Sequence, residues 1–180
     1  MIAIVFPGQG SQKPGMGKEL YDLRPESRQV FETVTKATGI DAAKLCFETD
    51  EETLRQTQNA QLALYTCSVA AWSCLSAHLQ GEVRIDGVAG HSVGEYAALA
   101  AAGVLSVEEG ARLVQTRGQI MAKAGEKHPG TMAAILGLDR DALEKVCKST
   151  SGIVVIANDN CPGQLVISGE VEAVAKAGEA

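Results

Sequence analysis

The residues best suited to chemistry stand in one pentapeptide, Gly90-His91-Ser92-Val93-Gly94, which reads G-x-S-x-G. A serine in this spacing acts as a nucleophile when a strand delivers it to a sharp turn and a helix carries the chain away. Both flanks fit. Val83 to Ala89 is a short, largely apolar run, and Glu95 to Ala102 is an alanine-rich helical pattern stopped by Gly103. Glycines on either side of the turn remove Cβ atoms that would clash in so tight a bend. The helix then aims its N–H groups and positive dipole end at the place where an oxyanion could form. Taken alone, the pentapeptide also fits an ordinary strand–turn–helix.

Two further residues have types that suit such a site. Gln9 lies in Gly8-Gln9-Gly10-Ser11-Gln12, directly after the first strand pattern. The segment is not a dinucleotide fingerprint, since Lys13 stands where the third glycine is needed. It is not a phosphate loop either, because Gly17-Lys18 is followed by Glu19. A glutamine there either shapes an oxyanion pocket beside Ser92 or is a polar turn residue. Arg117 falls within a helical stripe of Leu113, Val114, Ile120, Met121 and Ala124. A guanidinium on an apolar face needs an anion, because an unpaired buried charge is costly. The partner is an internal Asp or Glu, or a substrate carboxylate gripped bidentately. A serine also needs a base. His91 is adjacent in sequence, but consecutive side chains diverge at a turn, so it is expected to be structural or to touch substrate. His78 and His128 read as a helix-surface and a loop histidine, which leaves the nucleophile without a base.

The elements that must position these groups alternate. A strand over 2–6 leads through a glycine-rich loop to helical patterns at about 18–37, 41–47 and 60–79. Then come the strand before Ser92, the elbow helix and a helix over about 107–124. This predicts a parallel sheet covered by helices, with the site at the carboxyl ends of the strands. After Pro129-Gly130 the pattern becomes β-α-β-β-α: a strand over 131–138, a helix over 139–149 capped by Asp139, strands over 153–157 and 164–168, and a helix from Val171. Residues 158–163 read as a turn-rich loop. A split βαβ, or ferredoxin-like, unit would need one more strand.

Composition narrows the function classes. The 180 residues carry a net charge of −6 with no basic run, so nucleic acid is an unfavourable partner. The longest apolar run, Ala97 to Leu105, is too short to span a bilayer, and residues 1–6 have no basic n-region. The five cysteines contain no C-x-x-C pair and read as reduced thiols of a cytoplasmic protein. No His/Cys spacing points to a metal, and no cofactor is expected.

Together these segments resemble malonyl-CoA:acyl-carrier-protein transacylases from end to end. The resemblance rests on Phe6-Pro7-Gly8-Gln9-Gly10-Ser11-Gln12, Thr57-Gln58-Asn59-Ala60-Gln61, Gly90 to Tyr96, Arg117-Gly118 with Met121, and Asn158 to Gln164. It implies that Ser92 attacks a malonyl thioester and passes the acyl group to the phosphopantetheine thiol of acyl carrier protein, in fatty acid biosynthesis. The Val93 N–H and Gln9 would be the oxyanion donors. Arg117 would clamp the malonyl carboxylate, with His91, Met121 and Asn160 lining the pocket. Val93 after the serine is similar to malonyl-selecting members, whereas methylmalonyl-selecting relatives usually carry glutamine there. The implied fold is an α/β, hydrolase-like acyltransferase core over 1–127 with a ferredoxin-like lobe over 128–180 that lacks its last strand.

Members of that family are much longer, and their general-base histidine lies just beyond the ferredoxin-like lobe. The chain therefore reads as an N-terminal portion, expected to lack its base and part of its sheet, to expose apolar surface, and to require the polypeptide beyond Ala180. The competing readings are a serine hydrolase or thioesterase, an acyltransferase domain of a polyketide synthase, and a non-catalytic binding fragment.

Overall fold

The computed structural model describes all of residues 1–180. Its order is β1 (Ala3–Phe6), α1 (Lys18–Leu23), α2 (Pro25–Thr38), α3 (Ala42–Phe47), α4 (Glu51–Arg55), α5 (Thr57–Leu79), β2 (Gly87–Gly90), α6 (Gly94–Ala101), α7 (Val107–Lys127), β3 (Thr131–Leu136), α8 (Arg140–Ser149), β4 (Val154–Cys161), β5 (Gln164–Gly169) and α9 (Val171–Glu179). The chain forms two compact units, Met1–Lys123 and Ala124–Ala180, with the division inside α7. Each contains its own apolar cluster.

In the first unit β1 and β2 pair in parallel, from Ala3 opposite Gly87 to Phe6 opposite Gly90. The helical pattern expected over 18–37 is two helices. Pro25 forces the residue before it out of the helical region, and Arg24 is extended at φ −126° and ψ 117°. Pro25 then occupies the first turn of α2, where its missing N–H costs nothing. α5 is the central helix, with residues 60–66, Val69 and Ala70 buried. By length and composition it is apolar enough to cross a membrane. Counting only uninterrupted apolar runs overlooked it, because Gln61, Thr66 and Ser68 break the run. Its buried side packs in the core with Phe31, Val34, Leu45 and Leu54. Cys46 and Cys67 lie with their sulfurs 3.8 Å apart as free thiols. The neighbouring Cys67 thiol and burial together push the Cys46 thiol far above its ordinary range. The opposite face of β1 is bare, with Val5 75% exposed. Parallel strands are usually covered on both faces.

α7 opens with a reciprocal cap. Ser106 Oγ accepts from the Glu109 N–H at 3.1 Å, while Glu109 Oε2 accepts from the Ser106 N–H at 2.9 Å. The bonds that its carboxylate accepts from the Ser106 N–H and hydroxyl hold the Glu109 carboxyl below its usual range. The buried face of the helix is not the expected one. Leu113 and Ile120 are exposed, and the buried stripe is Gly110, Ala111, Val114 and Gly118. A Cβ on Gly118 would lie 2.8 Å from the Gln58 Cα, and one on Gly110 2.2 Å from the Tyr65 hydroxyl. α7 thus presses its glycines against α5, a contact line that a search for large apolar residues passes over.

In the second unit β3, β5 and β4 form an antiparallel sheet in that order. Asp139 caps α8, accepting from the Ala142 N–H at 2.9 Å. Residues 158–161, expected in a loop, belong to β4. They pair with β5 through two irregularities, and only Pro162-Gly163 make the turn. No group of three or more His, Cys, Asp or Glu side chains in the chain converges to hold a metal ion.

The glycines of α7 give a two-sided prediction. Gly118→Ala forces a methyl onto the Gln58 backbone and lowers stability by about 1–3 kcal/mol. Gly125→Ala, in open space on the same helix, raises it by up to about 1 kcal/mol. Urea unfolding of the two variants should move the midpoint in opposite directions.

Candidate active site

Ser92 sits where β2 ends and α6 begins. The parallel ladder extends one residue past Gly90, with the His91 N–H donating to Phe6 O at 3.0 Å. The chain then reverses, as the Gly94 N–H donates to His91 O at 2.9 Å and the Glu95 N–H to Ser92 O at 3.1 Å. Ser92 takes φ +53°, and Gln80 is the one other non-glycine residue at positive φ. A serine there is strained, and such strain collects where a side chain must be presented. The flanking glycines are required sterically. A Cβ on Gly90 would fall 2.0 Å from the Gly94 carbonyl carbon, and one on Gly94 2.4 Å from Phe6 O.

Val93 is buried at 1% exposure and roots the elbow in the core. Its N–H donates to no acceptor in the protein, so it is available at the N-terminal end of α6. Gln9 belongs to the same neighbourhood through Gly8. A Cβ there would meet His91 Nδ1 at 2.4 Å, so loop and histidine are in close contact. The Gln9 side chain itself turns to the start of α5, Nε2 donating to Thr57 Oγ1 at 3.4 Å.

Arg117 meets Ser92. Its Nη2 donates to Ser92 Oγ at 3.0 Å, and its Nη1 to Gln61 Oε1 at 2.5 Å. The guanidinium carbon lies 6.0 Å from the centre of the Tyr96 ring. Of the two partners expected for Arg117, the internal one is absent, since every ion pair in the chain uses another cation. A neutral amide stands where a carboxylate was expected. Gln61 is fully buried, and its Nε2 donates to Met121 Sδ at 3.3 Å. The sequence marked Thr57 to Gln61 as a motif without giving Gln61 a role. An amide amid the apolar residues of α5 was the available signal.

The six candidates of the first unit thus gather at two places. Ser92, Val93 and His91 form the elbow with the Gln9 loop against it, and Arg117 and Met121 reach it from α7 through Gln61. Asn160 lies in the second unit on β4, where Nδ2 donates to Gln164 Oε1 at 3.3 Å. His78 is exposed in the last turn of α5, and His128 is exposed just past α7. The bond on Ser92 Oγ comes from Arg117, not from a histidine.

A serine on a strained turn, an unengaged N–H beside it and an unneutralised cation in contact with it suit transfer of an acyl group. Residues 3–179 match the family model described as acyl transferase domain. The chain belongs to that family. This acyl transferase domain is 44% identical, over 99% of its length, to malonyl CoA-acyl carrier protein transacylase of Bacillus subtilis, and covers 56% of that protein. A crystal structure of the malonyl-CoA:acyl carrier protein transacylase of Xanthomonas oryzae superposes with a TM-score of 0.89 at 45% identity, over 98% of this chain and 56% of that one. A malonyl-transacylase in complex with a type II PKS acyl-carrier protein superposes with a TM-score of 0.88 at 40% identity, over 99% and 58%. The acyl transferase domain spans about half the length of the curated relatives it matches.

Ser92→Ala in the full polypeptide should abolish covalent labelling by a serine-directed phosphonate while leaving the thermal unfolding midpoint no lower. Intact mass reads the label, and an adduct on the variant would place the nucleophile elsewhere.

Proposed function

We propose that the chain is part of an enzyme that moves a malonyl group from malonyl-CoA to the phosphopantetheine thiol of acyl carrier protein, in the cytoplasm and for fatty acid synthesis. The observation that carries this reading is Arg117: a guanidinium bonded to the nucleophile Ser92, with no carboxylate of its own. A substrate whose acyl group ends in a carboxylate supplies the missing anion. The names of the relatives add the donor and the acceptor.

The route is ping-pong. Ser92 Oγ attacks the thioester carbonyl and loses its proton to a base. The Val93 N–H, with Gln9 turned from Thr57, stabilises the oxyanion. Coenzyme A leaves as a thiol after taking that proton, and malonyl remains as a Ser92 ester. The pantetheine thiol then attacks the ester and Ser92 recovers its hydroxyl. Since neither His78 nor His128 engages Ser92, the base proposed is a histidine supplied by polypeptide beyond Ala180. His91 and Met121 are proposed to line the pocket. The second unit supports the finer fold reading. The order β3-β5-β4, antiparallel throughout, is that of a split βαβ, and a further strand beside β3 would complete a ferredoxin-like lobe.

A thioesterase reading is disfavoured by the cation at the nucleophile, because simple acyl thioesters offer it nothing to bind. Arg117→Ala should lower malonyl transfer by about 10²-fold or more, as for loss of a buried charge partner. Transfer of acetyl from acetyl-CoA should hold or rise. Equal losses for both substrates, in steady-state assays of the full polypeptide with acyl carrier protein, would reduce Arg117 to a structural residue. Gln9→Ala should slow the reaction by up to about 10²–10³-fold at unchanged KM.

A further inference from the structure

We infer that Gln61 is the positioning residue that sets acyl-group selectivity, by holding Arg117 with a neutral oxygen; this rests on the malonyl reading above. Both ends of its amide are committed. Oε1 accepts from Arg117 Nη1, and Nε2 donates to Met121 Sδ. A thioether sulfur only accepts, so Met121 fixes which end of the amide faces the arginine. Turned over, the NH₂ would oppose a guanidinium that can only donate.

Glutamate has the same shape and would make the stronger, charge-assisted bond to arginine, at the cost of the donor that Met121 Sδ accepts from. It would also neutralise the guanidinium before substrate arrived. With glutamine, the groups at the guanidinium are an amide oxygen, the Ser92 hydroxyl and the face of Tyr96, all uncharged. The positive charge is anchored without being satisfied.

The anchor also fixes reach. Nη1 is tied to a fully buried side chain, so the guanidinium cannot retreat from Ser92 Oγ, 3.0 Å from Nη2. A carboxylate one methylene beyond the reacting carbonyl meets the guanidinium. One that is two methylenes away overshoots. Gln61 therefore selects for the charge and for the length of the acyl group, without touching the reacting atoms.

The test uses the full polypeptide with malonyl-CoA, acetyl-CoA and succinyl-CoA, reading the Ser92 acyl adduct by mass and kcat and KM with acyl carrier protein. Gln61→Glu should lower malonyl kcat/KM by about 10²-fold, chiefly through KM. Acetyl transfer should fall far less than malonyl transfer. In an Arg117→Ala background the same substitution should add no more than about twofold. Gln61→Met keeps the volume but removes the acceptor. It should lower malonyl kcat/KM about tenfold, the worth of one good hydrogen bond, and raise the succinyl-to-malonyl ratio. Equal losses for malonyl and acetyl, an unchanged malonyl KM, or an undiminished effect without Arg117 would overturn the role of Gln61 alone. A wild-type protein that malonyl-CoA does not acylate would overturn the malonyl reading itself, and this inference with it.

Discussion

Ser92 and Arg117 can meet because two pairs of elements touch backbone to backbone. At one contact the elbow folds onto the end of β1, with the Gly94 backbone against Phe6 O. At the other, α7 lies on α5 at Gly118. Neither contact tolerates a side chain. Together they leave the Ser92 hydroxyl and the Arg117 guanidinium within a hydrogen bond of each other. Larger residues would separate the helices by the width of a methyl group or more, and a bond of 3.0 Å does not survive that displacement. The rigidity of the site therefore comes from what the sequence leaves out at these positions.

The electrostatics of the site follow from the same economy. Buried cations are ordinarily paired, and the surface of this chain pairs its arginines freely, as with Arg55 and Glu51 or Arg112 and Glu108. Arg117, half-buried, has no carboxylate partner, and α5 offers it an amide instead. Half-burial and the Tyr96 face make the guanidinium tolerable without neutralising it.

Much of this was legible in the residues, for local reasons. G-x-S-x-G encodes a steric demand inside five residues, and Asp139 caps its helix within four. The break at Pro25 is equally local, yet it was hidden by a helical pattern continuing on both sides. Asn158-Asp159-Asn160 reads as a turn by side-chain preference. The pairing of β4 with β5 overrides that preference. The face of α7 was misjudged because Leu113 and Ile120 outweigh Gly110 and Gly118 on any scale of apolarity, while the fold is decided by proximity. Gln61 was visible only as part of a motif. Its meaning depends on Arg117 and Met121, and no spacing rule links residues on two different helices.

The left-handed turn at Ser92 also bears on how such a chain would age once released from its task. Serine at φ +53° is disfavoured against glycine by about 1 kcal/mol. Where the hydroxyl is not needed, glycine at position 92 relieves that strain, while Gly90, Gly94 and Gly118, whose constraints are steric, have no such freedom. Duplicates that have become scaffolds should then carry an intact frame of glycines around a vanished serine, a fossil readable from sequence alone.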